Sequence, residues 1–302
     1  MTSSPRPAIT ETPDPADADA YHRRLVHQAY GAGARIRLLQ KAPSFGAPVF
    51  VIDLDDGPRH VRLLGAFKSA IAAPDDDPKT IVLSAMDLIY PARLELEYER
   101  LMSFAFALCD QPAKALVLGG GGAEMWRFVR AYLPDCAMTQ VESNETIAAI
   151  ARRWFYLDQR VVIDDGERFL ADTTEQFDVV LIDLSDAHGS AALNPDFWAH
   201  CLDALAPGGC ITANWPYTDD ERTKIMAETQ AEMARGRGLD CFFISPRDRT
   251  GNIVQFLSTA DRCSPDTISG AIKRFAEERR IPEAVRPNLD DCVISTNFPV
   301  AA

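Results

Sequence analysis

Asp183 and Asp186 close the apolar run FDVVLID and enter the loop LSDAHG that follows it. Two carboxylates at such a strand end suit a cationic reactant, because an acid beside an alkylammonium can fix it and accept its proton as the nitrogen attacks. Burial would raise such an acid toward a useful pKa. The alternative is an Asp183 that only contacts a cofactor and an Asp186 that caps a turn. Glu142 ends a second segment, AMTQVE, about twenty residues beyond a run of glycines, an offset at which a carboxylate can accept from both hydroxyls of a ribose. Otherwise it is a solvated strand-end glutamate. Asp165, followed by Gly166 in IDDGERFL, can hold an adenine amino group, with Gly166 permitting the turn, or can cap the next helix. His188 has no orienting partner legible in the sequence and is left out of this chemistry.

These acids need elements that carry them to one place. The stretch ALVLGGGGAEM at 115–125 reads as a strand, a tight turn and a helix start. Gly119, Gly120 and Gly121 allow positive φ and the approach of a ligand to the main chain, next to the unpaired N–H groups of a helix N-terminus. A plain turn is the competing reading. Beyond it strands alternate with helices: AMTQVE, RVVID, FDVVLID and CITANW are each followed by an amphipathic segment. That order predicts an α/β fold with a doubly wound, mostly parallel, Rossmann-like sheet and the acids at the C-terminal ends of its strands. CFFISP and NIVQFLS read as two adjacent strands closing the sheet. Trp215 and Tyr217, in WPY at the end of the fifth strand segment, offer aromatic faces to an alkylammonium or belong to the core.

Upstream, PVFVIDL, the turn DDGP and RHVRLL predict a hairpin over 47–64, and residues 80–84 another short strand. The spacing of Leu94, Tyr98, Leu101, Met102, Ala105 and Leu108 predicts a helix linking the two parts. The expected organisation is a disordered tail over 1–20, a small β-rich domain over 21–90, a Rossmann-like domain over 91–265 and a helical or irregular extension over 266–302.

With 302 residues, 47% hydrophobic and 25% charged, the chain can bury a full core. A net charge of −13 repels phosphate backbones and anionic lipid, so neither nucleic acid nor membrane is an expected partner. Seven cysteines without a C-x-x-C pair point to reduced thiols and a cytoplasmic location, and the five histidines show no metal-ligand spacing, so no metal is expected. The N-terminus lacks a basic-then-apolar leader, and no apolar run is long enough to span a bilayer.

Taken together, GGGG at 119–122, QVES at 140–143, IDDGERFL at 163–170, FDVVLIDLSDAHG at 177–189, LAPGG at 205–209 and GNIVQFLS at 251–258 resemble the spermidine synthase family of polyamine aminopropyltransferases. These share the fold of class I S-adenosylmethionine-dependent methyltransferases. The resemblance places the family's glycine turn on Gly119 to Gly121, its ribose-binding acid on Glu142, its adenine-binding aspartate on Asp165 and its catalytic aspartate on Asp183. It also places an amine-holding aspartate on Asp186 and a tunnel tyrosine on Tyr98. It implies decarboxylated S-adenosylmethionine as co-substrate, putrescine or a related amine as acceptor, methylthioadenosine as product, no metal, and homodimers or larger assemblies.

The departures are local. Where the family reads G-G-G-D-G-G, this chain reads Gly119-Gly120-Gly121-Gly122-Ala123-Glu124, without the aspartate that would contact the donor's aminopropyl amine. Y-H-E has become Tyr98-Glu99-Arg100, the acid before it is Leu94 with only Glu95 retained, and Ala187 stands for a proline. A glycine at 122 would tolerate the carboxylate of intact S-adenosylmethionine. Methyl or aminocarboxypropyl transfer on the same fold is therefore one alternative, and a non-catalytic ligand-binding homologue is another.

Overall fold

The structure, a computed structural model, describes residues 35–42, 49–55, 57, 59–67, 80–184, 194–216, 221–247, 251–259, 261, 263–286 and 289–299. The expected tail over 1–20, Asp186, His188 and Tyr217 lie outside the described residues. The chain divides into two compact units: one takes in residues up to Glu95 with Gly121–Glu124 and Asn144–Gln159, and the other takes in the remainder.

In the first unit, β1 (Arg35–Ala42), β2 (Val49–Asp55), β3 (His60–Phe67) and β4 (Thr80–Asp87) form an antiparallel sheet in that order. The hairpin and the following strand match the sequence expectation; β1 is an addition to it. Val49, Val51, Leu64 and Met86 from the sheet form a core with Ile150 and Phe155. Ile150 lies in a helix, Glu145–Trp154, started by Asn144, whose side chain accepts from the N–H groups of Thr146 and Ile147. Such a cap stabilises a helix by about 1 kcal/mol. Arg62 and Asp53 are cross-strand partners in β3 and β2. The guanidinium grips the carboxylate through Nε at 2.7 Å and Nη2 at 3.0 Å, and its Nη1 donates to the Trp154 carbonyl at 2.8 Å. One fork thus ties the sheet to the C-terminal end of the helix.

The second unit is built on an eight-stranded sheet. Its strands are β5 (Lys114–Leu118), β6 (Ala137–Glu142), β7 (Val162–Ile163), β8 (Phe177–Ile182), β9 (Leu205–Pro216), β10 (Leu239–Pro246), β11 (Asn252–Thr259) and β12 (Cys292–Ser295), in the spatial order β12-β10-β11-β9-β8-β5-β6-β7. Strands β5 to β9 pair in parallel, while β10, β11 and β12 run antiparallel to their neighbours. From β5 the chain winds outward to β6 on one side and returns to β8 on the other, which makes the β5/β8 boundary the topological switch point where such sheets bind ligands.

Fully apolar strands fit a sheet covered on both faces: Val179, Val180, Leu181 and Ile182 of β8 are all buried. One core cluster joins Leu116, Val180, Ile182, Ile211 and Ala213 to Phe197 and Trp198 of the helix Pro195–Asp203. Trp198 stacks on Trp215 at 6.2 Å between ring centroids, and the Trp215 indole N–H donates to Gln255 Oε1 at 2.9 Å.

The linking helix is shorter than its spacing predicts: an α-helix covers Glu97–Met102 and a 3-10 helix continues over Ser103–Leu108. Phe104, Ala105, Phe106 and Leu108 are all buried, so this segment has no polar face whose period could have distinguished the two helix types. The segment RVVID yields only the two-residue β7. The region 266–302 holds most of the helix Pro265–Glu278 and also contributes β12 to the sheet. Among the described residues no helix is long and apolar enough to cross a membrane.

Candidate active site

Strands β5 and β8 end side by side, and backbone bonds fix how the chain leaves them. Asp183 N–H donates to the Leu118 carbonyl at 2.9 Å, and Gly119 N–H donates to the Val141 carbonyl at 3.0 Å. Gly119 then takes φ +83°, and a Cβ on it would lie 2.1 Å from the Asp183 carbonyl oxygen. Glycine is required there both for its conformation and for the close approach. A Cβ on Gly120 would meet the buried Gln140 amide at 1.9 Å, so a side chain at this second position requires Gln140 to move.

The Asp183 carboxylate is held on both oxygens. Tyr98 Oη donates to Oδ2 at 3.2 Å, and Asn214 Nδ2 donates to Oδ1 at 2.8 Å. Tyr98 comes from the helix Glu97–Met102. Asn214 comes from β9, where Ile182 is in parallel register with Ala213, so that the next residues, Asp183 and Asn214, come level. Asp183 retains some exposed surface, yet protein atoms crowd its carboxyl. Burial pushes its pKa above the usual aspartate range, and the bonds from Asn214 and Tyr98 pull it back in part. Both donors are neutral, so they orient the Asp183 carboxyl without supplying a countercharge.

The other expected residues fall as follows. Glu142 is buried at the end of β6. Asp165 is exposed and caps the helix Gly166–Asp172, its Oδ1 accepting from the N–H groups of Glu167 at 3.0 Å and Arg168 at 3.1 Å. A Cβ on Gly166 would make only ordinary contact with Leu118, at 3.7 Å, and its φ is not in the left-handed region, so the turn there does not require glycine. Trp215 is buried in the core against Trp198. It is the preceding residue, Asn214, that reaches Asp183, as the alternation of a strand dictates. Sequence reasoning missed Asn214; the available signal was a polar residue at the end of a strand that neighbours the Asp183 strand.

Within the first unit, Gly121 has φ +44° and Gly122 N–H donates to Ser84 Oγ at 2.5 Å. A Cβ on Gly122 would lie 2.7 Å from Ser84 Cβ and 2.9 Å from Glu124 Oε1. The turn therefore has no room for a side chain at 122, and the buried Glu124 brings its carboxylate to where that side chain would begin. Ala123, between them, adopts φ +67°.

Among the described residues no group of three His, Cys, Asp or Glu side chains could hold a metal ion. The cysteines are free thiols, and burial pushes the Cys241 thiol up to about 12, far from a reactive thiolate.

A family model described as spermine/spermidine synthase domain matches residues 95–234. A polyamine aminopropyltransferase from Chromobacterium violaceum is 30% identical over 205 residues, which is 65% of this chain and 76% of that protein. Among solved structures, a probable spermidine synthase from Corynebacterium glutamicum superposes with a TM-score of 0.57 at 19% identity, over 86% of this chain and 96% of that one. A spermidine synthase in complex with the transition state analogue AdoDATO gives a TM-score of 0.58 at 16% identity, over 80% of this chain and 88% of that one. At those identities the two structures bear on the fold alone.

Proposed function

The chain belongs to the spermine/spermidine synthase family, and from that premise we propose that it transfers an aminopropyl group from decarboxylated S-adenosylmethionine to a small amine, releasing methylthioadenosine. The observation that carries the reading is the Asp183 carboxylate at the β5/β8 switch point, raised in pKa by burial and held by two neutral donors, Tyr98 and Asn214. A carboxylate so held keeps its charge for a cation that arrives from solution.

In the transfer, the nitrogen of the acceptor forms a bond to the carbon next to the sulfonium as the carbon–sulfur bond breaks, and the bonding pair leaves on sulfur. The sulfonium charge disappears, and the nitrogen sheds a proton. Asp183 aligns the amine and takes up that proton, a role that a raised pKa favours. Alignment of two bound reactants supplies much of the remaining rate. In this reading Gly119 to Gly121 admit the donor to the backbone, Glu142 accepts from its ribose hydroxyls, and Asp165 turns its carboxylate to the adenine while capping the helix.

The donor is the decarboxylated form in this reading because the relatives that this chain matches are polyamine aminopropyltransferases.

The direct experiment is to incubate the chain with decarboxylated S-adenosylmethionine and putrescine and to measure methylthioadenosine together with the aminopropylated amine. Equimolar formation of both is expected. Production of S-adenosylhomocysteine from the intact donor, with no reaction of the decarboxylated one, overturns the reading.

A further inference from the structure

Asn214 reaches Asp183 with the NH2 end of its amide, and the structure shows what keeps that end in place. Asn252 Nδ2 donates to Asn214 Oδ1 at 2.7 Å, so the oxygen of the Asn214 amide is engaged on one side and its Nδ2 faces Asp183 Oδ1 at 2.8 Å on the other. The contact follows from sheet register. Val254 of β11 lies opposite Asn214 of β9, and Asn252, two residues earlier on the same face, is its diagonal neighbour.

We infer that Asn252, acting through Asn214, is a positioning residue for the Asp183 carboxylate in the proposed transfer. An amide is nearly symmetric in shape but opposite in polarity at its two ends, and an ionised carboxylate has only acceptors. Left alone, Asn214 can turn over and present its oxygen to Asp183, so that two acceptors oppose each other. The donation from Asn252 blocks that orientation. With Asn214 on one oxygen and the Tyr98 hydroxyl on the other, the carboxylate plane cannot swing, while each oxygen keeps a lone pair for the incoming amine.

The inference rests on the aminopropyl-transfer reading, and two variants of Asn252 test it. Asn252→Ala removes the donor; Asn252→Asp keeps the shape and reverses the polarity at Asn214. With decarboxylated S-adenosylmethionine and putrescine, kcat is expected to fall about tenfold in Asn252→Ala and about a hundredfold in Asn252→Asp. The donor's KM should stay within about twofold in both, because the lost interaction serves the transfer step. A space-filling role gives the reverse order, since aspartate fills the site and alanine does not. Asn252→Asp as active as Asn252→Ala, or more so, overturns the inference.

A second measurement needs no turnover. In the full 15N-labelled chain, the Asn214 side-chain NH2 protons should exchange with solvent about tenfold faster in Asn252→Ala than in the parent, because the unanchored amide can turn them away from the Asp183 carboxylate and no new acceptor replaces it. Unchanged exchange overturns the inference even in a chain that makes no methylthioadenosine, a failure that by itself would count only against the proposed reaction.

Discussion

Gly119 stands so close to Asp183 that a Cβ on the glycine would lie 2.1 Å from the aspartate's carbonyl oxygen. The glycine turn and the end of the Asp183 strand are therefore one steric unit. Gly119→Ala must both strain a backbone at φ +83° and displace a buried strand end. A loss of about 2–5 kcal/mol in denaturant unfolding is expected, together with loss of methylthioadenosine binding by calorimetry. A variant that retains both would show that β8 can shift without consequence.

Asp183→Asn separates chemistry from stability. Turnover is expected to fall about 10²- to 10⁴-fold, with methylthioadenosine affinity within about tenfold of the parent because the proposed adenine and ribose contacts, at Asp165 and Glu142, lie elsewhere. The pKa of Asp183 is raised in the folded state, so the fold binds its proton more tightly than the unfolded chain does. That contribution to stability is complete below the ordinary aspartate value and is lost as pH rises through the raised folded value. Above the raised folded value the buried charge is a net burden, and there Asp183→Asn should melt higher than the parent while losing activity. In the parent, the acid limb of the kcat profile should lie above the ordinary aspartate range.

Ala123 holds a left-handed φ of +67°, a conformation that disfavours any residue with a Cβ. Ala123→Gly should relieve about 1 kcal/mol of that strain, raising the melting temperature by about 2–4 °C. A lower melting temperature would mean that the packing of the buried methyl outweighs the strain.

Arg62 is the fork between Asp53 and the Trp154 carbonyl in the first unit. The pair is partly buried, and Arg37 also reaches Asp53 at 3.2 Å, so Arg62→Ala is expected to destabilise by about 1–3 kcal/mol. Arg62→Lys keeps the charge without the fork and should recover only part of it in the same unfolding measurement.

The strands of the second unit were legible because fully apolar runs such as VVLI, bounded by turn residues, have few other places to go. The acids were legible because each stands at the end of such a run. Other features lay beyond periodicity. RIRLLQKA of β1 alternates too weakly to stand out before its partner is known, and SFAFAL is equally apolar as an α-helix or a 3-10 helix. Asn214 and Asn252 belong to no motif and do not titrate near neutrality; they become visible only when β9 and β11 are set in register. Trp215 illustrates the converse, since an aromatic at a strand end invites a binding role until its buried stacking on Trp198 is known.

The two margins of the eight-stranded sheet are β7, two residues long, and β12, four residues long and supplied from near the end of the chain. Neither presents an extended row of open backbone donors and acceptors on which a second molecule could template a strand. Without β12, however, β10 with its run Phe242, Phe243 and Ile244 would become the margin. Truncating the chain before Cys292 should therefore appear first as self-association during expression or refolding, well before any effect on Asp183 at the β5/β8 boundary, in the middle of the strand order.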